Sequence, residues 1–241
     1  MRADDSKSLK AGFVEIMEAK IFSGELKPGD RLPPERELAL QLGISRGSVN
    51  QGILDMARMG FLRIVPRRGT FVADYVRNAT PETLAAIMRY DSALVDSALF
   101  KDLMELRILV ERECTRLACA NLTPESLETL QKRLAAVLAA SDEDAAEEVY
   151  LFHKCITEIS GNAAYAIVFQ SFEKMIRNLI KEYYKDPAEL RGSLPKLGQM
   201  TEAIARRDAM EADYCILMIL GQASDYLNRY LRENENRRAE G

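Results

Sequence analysis

The chain has 241 residues, enough for two domains or for a small domain joined to a larger one. A hydrophobic share of 47% beside 29% charged residues excludes wholesale disorder, and with no long apolar run and no apolar leader at MRADDSKSLK a cytoplasmic protein away from the membrane is expected. The formal net charge of −4 is unevenly spread: residues 1–77 hold 13 Lys+Arg against 10 Asp+Glu and the rest hold 20 against 27, so a mildly basic front that suits a polyanion precedes an acidic body.

The first predicted element is a helix from about Leu9 to Ser23, with Phe13, Ile16, Met17 and Ile21 on one face and Gly24 as its stop. Pro33 and Pro34 then precede ERELALQLG, a short helix that Gly43 ends. Ser45 caps a second helix with a stripe of Val49, Ile53, Met56 and Ala57, closed by Gly60. Beyond it, FLRIV and TFVAD are strand-like runs separated by PRRG, a two-stranded ribbon with a basic tip. Helix, helix-turn-helix and basic hairpin predict a winged helix-turn-helix over residues 1–77.

From Thr80 to Arg232 the strand signals vanish, and helix-period stretches are broken at LTPES (122–126), ISGN (159–162) and KDPAEL (185–190). Thr123 followed by Pro124 and Glu125 or Ser126 is a helix start. The chain is therefore expected to be mostly α, with an all-helical bundle of six or seven helices over 78–241 and a frayed charged end at RENENRRAEG. Cys114, Cys119, Cys155 and Cys215 follow no metal or disulfide spacing and read as reduced core residues.

The stretch ISRGSVN places Arg46 at a helix start, where unpaired backbone N–H groups already attract anions. Ser45, Arg46 and Ser48 add donors for phosphate oxygens or base edges, and arginine can grip guanine bidentately. In a local alternative, Arg46 pairs with Glu35 or Glu37 and the hydroxyls only cap.

Residues 24–72, GELKPGDRLPPERELALQLGISRGSVNQGILDMARMGFLRIVPRRGTFV, resemble the DNA-binding domain of GntR-type bacterial transcriptional regulators almost end to end. The resemblance implies that Arg36 touches the DNA backbone, that Ser45, Arg46 and Ser48 touch phosphate and bases, and that Arg67, Arg68 and Gly69 form a wing tip entering the minor groove. Gly47 and Asn50 depart from the residues common at those two recognition-helix positions, so the operator sequence does not carry over.

The helical remainder resembles the FCD-type effector domain of the FadR subfamily, through MELRILVERECTRLACANLTPESLETL, FHKCITEISGN and EAIARRDAMEA. Many such domains hold a divalent metal with an Asp and three His. Here His153 occupies the first His position, but Val149, Leu197 and Ile219 stand at the others, so no metal and no cofactor is expected. The segment IRNLIKEYYKDPAELRGSLPKL is similar to that of acyl-CoA-responsive members, which makes Tyr183 and Tyr184 candidates for lining a ligand tunnel, against the alternative of plain core. His153 is read as a hydrogen-bonded cavity or core residue. Arg107 shares a helix with Leu103, Met104, Ile108 and Val110, and either pairs with Glu111 four residues on or meets an acidic effector.

These readings predict a homodimeric, ligand-responsive regulator, a repressor, on a palindromic duplex operator, with a small organic acid or acyl-CoA as effector. The alternatives are a metal-dependent carboxylate sensor and an architectural DNA binder. An enzyme is not expected: His153 and Cys155 point in different directions on a helix, and no GxSxG, HExxH or P-loop is present.

Overall fold

Apolar residues at helical spacing build the first unit of the computed structural model, which describes residues 3–89 and 97–240, with side chains for 12–87 and 98–233. Its elements are α1 (Ala3–Phe22), α2 (Glu35–Leu42), α3 (Arg46–Arg58), β1 (Leu62–Val65), β2 (Gly69–Val72) and α4 (Pro81–Arg89). Phe13, Met17 and Ile21 of α1 and Val49, Ile53 and Met56 of α3 are all buried, whereas Ile16, expected on the same stripe, is exposed. α1 packs on α3 at Gly52, where an added Cβ would lie 2.3 Å from the Phe13 ring. The crossing therefore requires glycine. Phe22, Phe61 and Tyr75 extend this core, with ring centroids 5.4 and 5.6 Å apart in the Phe22–Phe61 and Phe61–Tyr75 pairs.

The ribbon pairs antiparallel from Leu62↔Val72 to Val65↔Gly69. Residues 29–32, for which the sequence predicts no element, add a third extended segment: Leu32 N donates to Thr70 O at 2.9 Å, Val72 N donates to Asp30 O at 2.8 Å, and Arg31 bridges to Phe71. Proline restricts the residue before it to extended backbone, which favours such an edge ahead of Pro33. α4 is gathered with this unit, and Thr83 Oγ1 donates to Met59 O at 2.5 Å.

The second unit is helical throughout its described residues: α5 (Ser97–Asn121), α6 (Pro124–Ala139), α7 (Ala145–Ile159), α8 (Ala163–Ser171), α9 (Glu173–Tyr183), α10 (Pro187–Ala205) and α11 (Ala209–Glu240). The long α5 and α11 lie along each other, with α7 against α5 and α10 against both. Thr123 and Ser126 form a reciprocal capping box at the start of α6, and Asn162 and Asp186 cap α8 and α10. Arg207, in the left-handed region at φ 58, donates to Cys119 O and Ala120 O at 2.9 Å and to Leu122 O at 2.5 Å, closing the C-terminal end of α5. The charged end expected to fray continues as helix to Glu240, consistent with its Glu, Arg and Ala content. All four cysteines are buried thiols.

Candidate functional site

The turn between α2 and α3 sets the first candidate surface. Ser45 is the N-cap of α3; its Oγ accepts from Ser48 N at 3.0 Å and lies 2.9 Å from Ser48 Oγ. Ser48 is buried, so its hydroxyl is spent on the cap, while Arg46 and Gly47 are exposed on the first turn. Arg46 pairs with neither glutamate: Glu35 accepts from Asn50 Nδ2 at 2.9 Å and Glu37 from Gln41 Nε2 at 3.1 Å. Asn50 is thereby tied to α2. Among the described residues, Arg36, Arg46, Arg67 and Arg68 form no ion pair, and all four are exposed.

At the wing tip Arg67 takes a left-handed φ of 63 and Gly69 a φ of 113. A Cβ on Gly69 would lie 3.1 Å from Arg31 Nε, so Arg31 lies across the glycine and extends the cationic edge of the ribbon. Arg31 belongs to no periodic element, so no pattern in the sequence marks it. Four exposed cations on one small fold, two of them beside a glycine crest, suit a phosphate backbone.

The second candidate lies inside the helical unit. Arg107 Nε donates to Glu111 Oε1 at 2.6 Å, as expected for the local pair, and His153 Nδ1 from α7 meets Glu111 Oε2 at 2.6 Å. All three residues are between 2% and 4% exposed. Burial alone would push the Glu111 carboxyl up, but the charge of Arg107 and the charge and hydrogen bond of His153 outweigh it and bring it from 4.5 down to about 2. The His153–Glu111 contact could not be read from spacing, since its members stand on different helices. Tyr184 Oη lies 2.9 Å from buried Ser193 Oγ, and Tyr183 Oη donates to Glu189 Oε2 at 2.7 Å.

A cavity of about 20 Å³ brings together Arg107, His153, Tyr183 and Tyr184 with aliphatic residues, and another of about 10 Å³ is lined by Arg107 and Glu111 together with Phe169 and Phe172. Beside His153 the positions that the resemblance assigns to further metal donors hold buried Val149, Leu197 and Ile219. One imidazole already bonded to an arginine-paired carboxylate does not fit a divalent metal, which needs three or more free donors. Among the described residues no cluster of three or more His, Cys, Asp or Glu could hold one.

A winged helix-turn-helix with a cationic first turn, followed by a helical unit with a buried charged chamber, defines the class: a DNA-binding regulator. Residues 10–72 match the family model for bacterial regulatory proteins of the gntR family, and residues 102–222, half of the chain, match the FCD domain. The chain belongs to the gntR family and is a ligand-responsive transcriptional regulator of the FCD-bearing, FadR-type architecture. It is 24% identical over 221 residues to the HTH-type transcriptional regulator LutR of Bacillus subtilis, covering 89% of this chain and 99% of that one. The putative L-lactate dehydrogenase operon regulatory protein of Escherichia coli is 27% identical over 164 residues, 68% of this chain and 63% of the relative. Among solved structures, that of Lar, which controls the expression of the Listeria monocytogenes agr system, superposes with a TM-score of 0.58 at 18% identity, over 92% of this chain and 96% of that one, a likeness of fold. The family and its relatives are regulators and not enzymes. No helix among the described residues is long and apolar enough to cross a membrane.

Proposed function

We propose that residues 1–77 read a palindromic operator in duplex DNA as half of a homodimer, and that residues 78–241 hold a small organic acid whose binding releases the repressed site. The observation that carries the reading is Arg46: it opens α3 exposed and without an ion pair among the described residues, while Glu35 and Glu37 of α2 accept from Asn50 and Gln41. Arg46 then serves base readout, whereas Arg36, Arg67, Arg68 and the Gly69 crest serve phosphate and minor-groove contact, with Ser45, Gly47, Ser48 and Asn50 shaping the recognition turn. Paired heads reading half-sites in register require a two-fold dimer. A duplex-DNA partner supports a cytoplasmic location.

For the effector, Arg107 supplies a cation, His153 and Tyr184 supply polar groups, and Tyr183 closes the aromatic side. The cavities beside Arg107, of about 20 and 10 Å³, would have to open far more for an acyl-CoA than for a small acid. The Escherichia coli relative is named for an L-lactate dehydrogenase operon, which supports the same class.

The test is operator selection from random duplexes followed by anisotropy titrations over a salt series. Arg46→Ala is expected to lose about 1–3 kcal/mol on the selected site and to relax base preference, while Arg67→Ala weakens all duplexes alike and flattens the salt slope by about one. Equal losses for Arg46→Ala on selected and scrambled DNA would remove Arg46 from base readout.

A further inference from the structure

The donors that a metal would need are missing from the chamber, and what stands there instead is one carboxylate held on both oxygens. Arg107 Nε grips Glu111 Oε1 and His153 Nδ1 meets Oε2, each at 2.6 Å, with all three side chains shut away from solvent. A guanidinium and an imidazole on opposite oxygens of a desolvated carboxylate are the contacts a bound carboxylate ligand makes, except that this one is attached to α5. Flanking cavities of about 20 and 10 Å³ leave room for little more than a water beside it.

We propose that Glu111 is a tethered occupant of the chamber's carboxylate subsite, and that an effector carboxylate binds Arg107 and His153 by taking its place. The proposal rests on the reading of the chamber as a carboxylate sensor and supplies its switch. Adding a second carboxylate while the first stays would set two buried anions on one guanidinium, which like-charge repulsion and desolvation both oppose. Occupancy is therefore exclusive. Because Glu111 belongs to α5 and His153 to α7, exchange breaks the carboxylate link between those two helices, so ligand occupancy and helix geometry are coupled in one step.

The test uses acetate, which contains the same heavy atoms that Glu111→Ala deletes: one carbon and a carboxylate. In the 241-residue Glu111→Ala variant, sodium acetate is expected to raise the melting temperature relative to sodium chloride of equal ionic strength, by about 3–6 °C at roughly tenfold excess over its dissociation constant. Wild type and Glu111→Gln, whose side chains fill the subsite, should not respond. The chain has a single histidine, so the imidazole nitrogen signals of His153 need no assignment. The Nδ1-donating pattern of the wild type should disappear in Glu111→Ala and return with acetate. An acetate response that persists in the double variant Glu111→Ala, Arg107→Met overturns the proposal, as does its absence from Glu111→Ala. Should Glu111→Ala not fold in chloride, refolding is the readout: recovery of helical circular dichroism in acetate alone supports the subsite, and recovery in neither salt or in both sinks it. None of these readings involves DNA or the natural effector, so a wild type that ignores every carboxylate would count against the sensor reading and not against these outcomes.

Discussion

Glu111 shows how far single-residue chemistry could be read from the chain and where it stopped. Its pairing with Arg107 follows from their separation of four on a helix that turns them inward, because a lone buried guanidinium is too costly to persist. Its second bond, to His153, depends on how α5 meets α7, which no local pattern encodes. Replacing one partner of such a buried pair strands the other, so Glu111→Gln is expected to destabilise the protein by about 3–5 kcal/mol, whereas an apolar replacement of both Arg107 and Glu111 should cost far less. The acid dependence has a definite sign. A carboxyl brought from 4.5 down to about 2 contributes stability that is fully present above about pH 4.5 and is lost as pH falls toward 2. Urea melts at pH 7, 4.5 and 3 should therefore show the gap between wild type and Glu111→Gln narrowing on the acid side; a gap of constant size would mean that the carboxylate charge is not what stabilises.

At the scale of elements, the wing offers the sharpest consequence of backbone geometry. Gly69 combines a φ of 113 with an Arg31 guanidinium whose Nε lies 3.1 Å from where its Cβ would be, so Gly69→Ala meets both conformational strain and a crowded cation. The expected outcome is a stability loss of about 1–3 kcal/mol, together with weaker binding to every duplex tested and a shallower salt slope. Thermal melts and anisotropy on the same preparations check this, and a variant that melts lower yet keeps the wild-type slope would show that Arg31 and the wing tip do not meet phosphate. The same elements explain what the sequence made legible. α2, α3 and the ribbon were readable because Pro34, Gly43, Ser45 and Gly60 mark their ends, and α6 because Thr123 and Pro124 mark its start. Residues 29–32 were not, since an edge three or four residues long has no period and its partner lies about forty positions away. The break between α8 and α9 at Phe172 was equally hidden, since no Gly or Pro announces it and a buried aromatic continues the apolar pattern. At the DNA-binding surface the cationic residues were visible, but the engagement of Asn50 by Glu35 and of Ser48 by Ser45 was not, because hydrogen-bond allocation between donors close in space is decided by packing.

The whole molecule adds a constraint that neither unit carries alone. Its charge is divided between a front with three more cations than anions in 77 residues and a body with seven more anions than cations, so DNA attraction belongs to the front and the body cannot substitute for it. If a carboxylate in the α5–α7 chamber alters operator affinity, the two binding events share one coupling free energy, of about 1–3 kcal/mol in typical regulators, or 5- to 150-fold. Linkage then fixes the reverse effect: saturating operator must change the affinity for the carboxylate by the same factor and in the same direction. Calorimetric titration of the acid into free protein and into the protein–operator complex, set beside operator titrations with and without the acid, measures both factors. They should agree within error, and Glu111→Ala should bring both closer to one, because it removes the tethered carboxylate whose displacement transmits the signal. Two unequal factors would mean that the acid changes the number of chains on the operator, and the coupling would then have to be sought in assembly and not in exchange at Arg107.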